Sequence, residues 1–160
     1  MLTLEHPPLE EALEDIMPGD CFGCGAQNKD GHHIKSYWDG EKAVCIWTPE
    51  SYHYAGGPYV WGGIVAGLLD CHMCITSRVA FYADENRVFG DQNGRNFYAV
   101  TANLNVNFRA PCPLGEPIEC VATITSVDGK KAFLEGTVTT NGKLAADAKG
   151  LFIKQLRDGE

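Results

Sequence analysis

The sequence predicts an α+β fold in which a curved antiparallel sheet wraps one long central helix. Three observations lead there. The nearly unbroken apolar run "GGIVAGLLDCHMC" is too long for a buried strand and reads as a helix from about Gly63 to about Tyr82. Two stretches before it and four after it carry strand and hairpin signals. The run is apolar nearly all round from Ile64 to Leu69, so it offers no polar face to water and has to be enclosed.

The elements follow in chain order. The 160 residues suit one domain, 1–160, with residues 1–20 as an N-terminal helical extension in which "LEEALEDIM" forms a short amphipathic helix ended by Pro18-Gly19. A loop with Gly23, Gly25 and Gly31 comes next. "HHIKSYW" and "KAVCIWT" flank an Asp39-Gly40 turn and read as a hairpin. After the helix, "ADENRVFGDQNGRN" is a polar loop. "FYAVTANLNVNFRAP" then alternates strictly, with Val100, Ala102, Leu104, Val106 and Phe108 on one face and Thr101, Asn103, Asn105, Asn107 and Arg109 on the other. "PIECVATITSV", "KAFLEGTVTT" and "LAADAKGLFIKQL" complete the sheet, joined at Asp128-Gly129 and Asn141-Gly142. One helix cannot cover both faces of six flat antiparallel strands, so the sheet curls around it. That is the hot-dog arrangement.

Charge narrows the function. A net charge of −8 disfavours nucleic acid and anionic membranes, which attract basic surfaces. No stretch approaches the roughly 20 apolar residues that span a bilayer. The acidic first twenty residues do not resemble a signal peptide, which leaves a cytoplasmic location as the expectation. The 7 cysteines are odd in number, and several fall inside apolar periodic segments, so they read as packed thiols. Cys21 and Cys24 form a C-x-x-C. A zinc site would want two more ligands at similar spacing; Cys71 and Cys74 lie in the helical run, and His32 and His33 leave only a weak alternative. No metal and no cofactor are expected.

The chemistry concentrates around the helix. Its first turn leaves backbone N–H groups without partners at the positive end of the dipole. Gly62 and Gly63 let a ligand approach that backbone, and such an end can hold a developing oxyanion. Asp70 is the lone carboxylate inside the apolar run, and burying it unpaired would cost several kcal/mol. It lies eight residues past Gly62, about 12 Å along the axis. One carbonyl cannot touch both on the same chain. Two antiparallel helices in a two-fold dimer would bring Asp70 of one chain to Gly62 and Gly63 of the other. A purely structural carboxylate at Asp70 is the bland alternative, and tight helix–strand packing is the bland reading of the glycines.

"CFGCGAQNKDGHHI", "YVWGGIVAGLLD", "VTANLNVNFRAPCPLGEPI" and "GKLAADAKGLFI" together resemble the acyl-CoA thioesterases of the hot-dog fold, in particular the phenylacetic-acid-degradation type, over roughly residues 21–154. The resemblance implies a homodimer or a dimer of dimers (a homotetramer) that hydrolyses an acyl-CoA to free acid and coenzyme A. It implies Asp70 as nucleophile or general base, and Gly62 and Gly63 as the oxyanion turn. Asn28, where family members also carry Asn, and Arg109, near the coenzyme A phosphates, are implied as substrate-binding. Turn chemistry and a surface salt bridge explain those two residues equally well. The family's His before the two glycines is here Trp61, whose only polar function is an N–H donor. Trp61 is expected to line the acyl channel, and Tyr52, His53, Tyr54 and Tyr59 stand near it in sequence. The replacement sustains a second reading, a non-catalytic hot-dog domain that binds an acyl-CoA or another hydrophobic ligand. His72 reads as a helix residue satisfied locally. The longer Asp–His motif of hot-dog hydratases is not found.

Overall fold

A computed structural model describes residues 6–17 and 19–156. The part of the predicted N-terminal extension formed by residues 1–5 and Pro18, and the last four residues of the chain, lie outside the described residues. Strands β1 (Tyr37–Trp38) and β2 (Lys42–Trp47) precede helix α1 (Gly62–Asp84). Strands β3 (Phe97–Phe108), β4 (Ile118–Asp128), β5 (Lys131–Thr140) and β6 (Lys143–Leu156) follow it. All pairs are antiparallel, in the spatial order β1-β2-β4-β5-β6-β3.

The helix lies in the concave face of this sheet. Leu68, Leu69, Met73 and Phe81 of α1 are fully buried against Ile118, Ala122, Leu134, Val138 and Phe152. The helix approaches β5 closely, since a Cβ at Gly136 would sit 2.6 Å from the Met73 sulfur. At 23 residues α1 has the length and composition to cross a membrane, contrary to the sequence expectation. Here the sheet, and not lipid, encloses it.

Three local outcomes differ from expectation. "LEEALEDIM" forms a single 3-10 turn, Glu11–Leu13, followed by further turns. Leu9, Leu13 and Ile16 are buried, so its apolar residues are used for docking without a regular helix. The first hairpin strand shrinks to two residues because the chain before it turns through His33, which has φ +50°. In the β4–β5 hairpin the two linking residues are Gly129 and Lys130, with Gly129 at φ +56°. The Asn141-Gly142 turn has both residues at positive φ, as a type I′ hairpin requires.

Strand β3 holds the main correction. Thr101 pairs with Phe152 and Asn103 with Leu151, so Ala102 is a bulge. An extra residue reverses the parity of everything before it. Phe152 faces the helix, and Thr101 directly opposite therefore also faces the helix. Val100 is turned outward and is 44 % exposed. Beyond the bulge the predicted face holds, with Leu104 opposite Gly150 and Val106 opposite the buried Ala148.

Candidate active site

Gly63, Gly67, Asp70, Cys71 and Cys74 recur at helical spacing and form one stripe along α1. This stripe lines a cavity of about 600 Å³, closed on its other sides by the loop Cys21–Gly23, His32, Tyr52, His53 and Trp61. The small residues of the stripe leave its floor open.

Trp61 is the N-cap of α1, with φ −62° and ψ 129°, and no side chain caps the helix start. Its carbonyl accepts the Ile64 N–H at 2.9 Å. The indole folds back over the first turn, since a Cβ at Gly63 would lie 2.6 Å from the ring. Trp61 is nevertheless 60 % exposed, so it forms a wall of the cavity and not part of the core. Gly62 faces elsewhere. It lines a second cleft of about 310 Å³ with Phe108 and Arg109. Successive residues on a helix point about 100° apart, so the two glycines open onto different sides of the helix start.

Asp70 is half-buried and accepts a hydrogen bond from the Thr101 hydroxyl at 2.6 Å. Asp70 itself lines the cavity. Cys74, one turn along, donates to the Ala99 carbonyl at 3.2 Å. Burial holds its pKa up at about 11.

Two imidazoles close the cavity beside Trp61. His53 Nδ1 accepts the Glu50 N–H at 2.8 Å, so in the neutral ring the proton sits on Nε2. His32 stacks edge-on against Phe22, Trp47 and His53. Burial lowers the pKa of both rings. Sequence reasoning noted His53 only as a neighbour of Trp61 and left Thr101 on the wrong face. The bulge in β3 has no sequence signal that would have corrected this.

Asn28 and Arg109 are not brought to this cavity. The Asn28 amide donates to the Asp20 carbonyl at 3.0 Å and accepts the Asp30 N–H at 3.1 Å, so both ends hold the loop. Arg109 sits at the second cleft beside Gly62, its Nε donating to Asp147 at 2.5 Å. His72 lies in the core. Its Nε2–H donates to the Ala43 carbonyl at 3.1 Å, and its Nδ1 accepts the Ser36 hydroxyl at 2.8 Å. Burial lowers its pKa to about 4.

The cysteines are free thiols, buried or half-buried, and three of them meet around Cys71. The sulfurs of Cys21, Cys24 and Cys71 all lie within 4.8 Å of one another. The neighbouring thiols of Cys24 and Cys71 hold the Cys21 pKa well below the ordinary thiol range. The Cys24 pKa is pushed up to about 12, chiefly by its hydrogen bond with Cys21.

Comparison with known proteins settles the family. The Thioesterase superfamily pattern matches residues 57–145, which carry the helix, β3, β4 and β5. The chain belongs to the thioesterase superfamily. It is 31 % identical over 118 residues to the acyl-coenzyme A thioesterase THEM4 of Bos taurus, covering 72 % of this chain and 42 % of that protein. It thus spans less than half the length of the curated relatives it matches. The crystal structure of a thioesterase superfamily protein from Shewanella loihica PV-4 superposes with TM-score 0.59 at 31 % identity, over 75 % of this chain and 89 % of that one. The PaaI protein of the E. coli phenylacetic acid degradation operon has the same fold, with TM-score 0.62 at 16 % identity over 77 % of this chain and 80 % of its own. The superfamily's hot-dog fold is the six-stranded sheet and enclosed helix described above.

Proposed function

We propose that this protein is an acyl-CoA thioesterase in which Asp70 is the catalytic carboxylate and the first-turn N–H groups of Gly62 and Gly63 receive the oxyanion. Asp70 takes a proton from an attacking water, or attacks the thioester carbonyl itself and is then released by water. The carbonyl oxygen gains charge at the uncapped helix start. The coenzyme A thiolate leaves and is protonated, so that thioester and water become acid and thiol. The observation that carries this reading is that the uncapped helix start at Gly63 and the Thr101-anchored carboxylate of Asp70 both open to the cavity beside Trp61, where each can meet its counterpart from a second chain.

The working unit we infer is a homodimer or a dimer of dimers, with each site shared between chains. Gly63 and Asp70 of one chain are about 10 Å apart along the axis, too far for one carbonyl. Strand β3, twelve residues long, is an edge of the sheet among the described residues, with β6 as its neighbouring strand. Such an edge is a template for a second strand. We place the protein in the cytoplasm, where its seven free thiols suit a reducing compartment.

The test is hydrolysis of short, long and aromatic acyl-CoA esters followed with a thiol reagent. Turnover by the wild type, lost in Asp70→Asn, supports the assignment. Saturable acyl-CoA binding without turnover would favour the second reading, a binding module. The indole lying over Gly63 is the observation on that side, since it narrows access to the helix start.

A further inference from the structure

We propose that Cys21, Cys24 and Cys71 form a three-thiolate site for one zinc ion, with the fourth coordination position open to the cavity that contains Asp70. The three sulfurs lie within 4.8 Å of one another, and Cys21 and Cys71 are 4.0 Å apart. A tetrahedral zinc with bonds of about 2.3 Å holds its sulfurs roughly 3.8 Å apart. The cluster therefore needs a contraction of less than about 1 Å to close on the ion.

The ligands come from two elements fifty residues apart. Cys21 and Cys24 occupy one C-x-x-C turn, a spacing that places both sulfurs on one ion. Cys71 meets them from the middle of α1. The turn can seat there because its third residue is Gly23: a Cβ at that position would lie 2.5 Å from the Cys71 sulfur. Gly23 and Cys24 also turn their backbone N–H groups toward the Cys21 sulfur. Pairwise disulfide formation would use two of these sulfurs and strand the third. A tetrahedral ion uses all three.

Access and selectivity fit the same assignment. Cys21 and Cys71 line the open cavity while Cys24 is buried behind them, so an ion can enter from the solvent side. Soft thiolates select zinc over magnesium or calcium. The fourth position takes water or an entering thiol. His32 lines the same cavity, and its buried Nδ1 has no hydrogen-bond partner among the described residues. Cys74 lies in the cavity but is committed to the Ala99 carbonyl, which makes it the natural control.

The experiment is titration of the reduced, metal-free protein with Co²⁺ under anaerobic conditions. Tetrahedral thiolate coordination gives an intense near-ultraviolet sulfur-to-cobalt band together with visible d–d bands. The expected result is saturation at one equivalent per chain and displacement by Zn²⁺. Cys21→Ser, Cys24→Ser and Cys71→Ser should each weaken binding by more than about 100-fold, exceeding the loss of an outer-shell partner. Cys74→Ser should bind as the wild type does. A second measurement guards against misfolded variants: zinc added to the wild type should protect Cys21, Cys24 and Cys71 from alkylation, as mapped by mass spectrometry. An absent cobalt band, a band that survives in a folded Cys71→Ser protein, or unprotected alkylation of the three thiols would overturn the site. None of these readouts uses substrate turnover, so the result is independent of the thioesterase assignment.

Discussion

The Thr101 hydroxyl donates to Asp70 at 2.6 Å, across from β3 to the middle of α1. The hydrogen bond fixes one carboxylate oxygen and aims the other into the cavity. Asp70→Asn keeps this contact through the amide oxygen and should leave the fold intact. It removes both base and nucleophile, so kcat should fall by about 10²–10⁴-fold. Thr101→Val keeps the carboxylate but frees its rotation, and loss of a hydrogen bond to a charged group predicts a fall of roughly tenfold or more. Wild-type turnover in Asp70→Asn on the best acyl-CoA would refute the catalytic assignment.

The shared site makes a second prediction. A chain carrying Asp70→Asn retains its helix start, and a chain carrying Gly63→Val retains its carboxylate. Each alone should be inactive. After subunit exchange of an equal mixture, about a quarter of wild-type activity should return, because one of the two sites in each mixed dimer is intact. Mixed dimers verified by mass spectrometry that stay inactive would place Gly63 and Asp70 of one chain in one site.

Much of this architecture was legible in the sequence, for identifiable reasons. The helix was visible because its first half, Ile64 to Leu69, packs into the core and is apolar nearly all round. The Asn141-Gly142 hairpin was visible because both residues tolerate positive φ. The orientation of Thr101 was not, because a bulge at Ala102 leaves no trace in a period-two pattern. The meeting of Cys71 with Cys21 and Cys24 was hidden by their distance along the chain, with Cys71 50 positions after Cys21. Nor does the dipeptide Gly62-Gly63 reveal that its members face different clefts; that follows only from where Phe108 and Trp61 come to rest.

His72 predicts a pH dependence of stability. Its pKa is about 4 in the folded chain, against about 6.5 when exposed. Between those values the unfolded state binds a proton that the folded state refuses. Stability is therefore full above pH 6.5 and falls as the pH drops toward 4, by roughly 3 kcal/mol for this residue alone. Glu10 works against this trend, because burial raises its pKa. The His72 contribution is isolated by comparing urea unfolding of wild type and His72→Gln from pH 7 to pH 4. The variant is expected to start less stable, having lost fitted bonds to Ser36 and Ala43, and to show the shallower slope. Parallel slopes would show that His72 does not titrate on unfolding.

The last prediction concerns Trp61, whose indole covers Gly63 and borders the cavity. An acyl thioester reaching the first-turn N–H of Gly63 has to pass this ring. A flat apolar wall excludes branched groups and stacks against planar or slim ones. Wild-type protein should therefore favour straight-chain and aromatic acyl-CoA esters over branched ones. Trp61→His removes the wall and leaves a smaller ring at the N-cap. The fold should tolerate it, because Trp61 is 60 % exposed and its backbone carbonyl, not its side chain, holds Ile64. Branched esters should gain in kcat/KM relative to straight ones, with kcat for straight esters at least maintained. The measurement is the ratio of specificity constants across a matched panel. An unchanged ratio would mean that the indole does not meet the acyl group. A uniform collapse in a folded protein would mean that the indole N–H itself donates to the substrate.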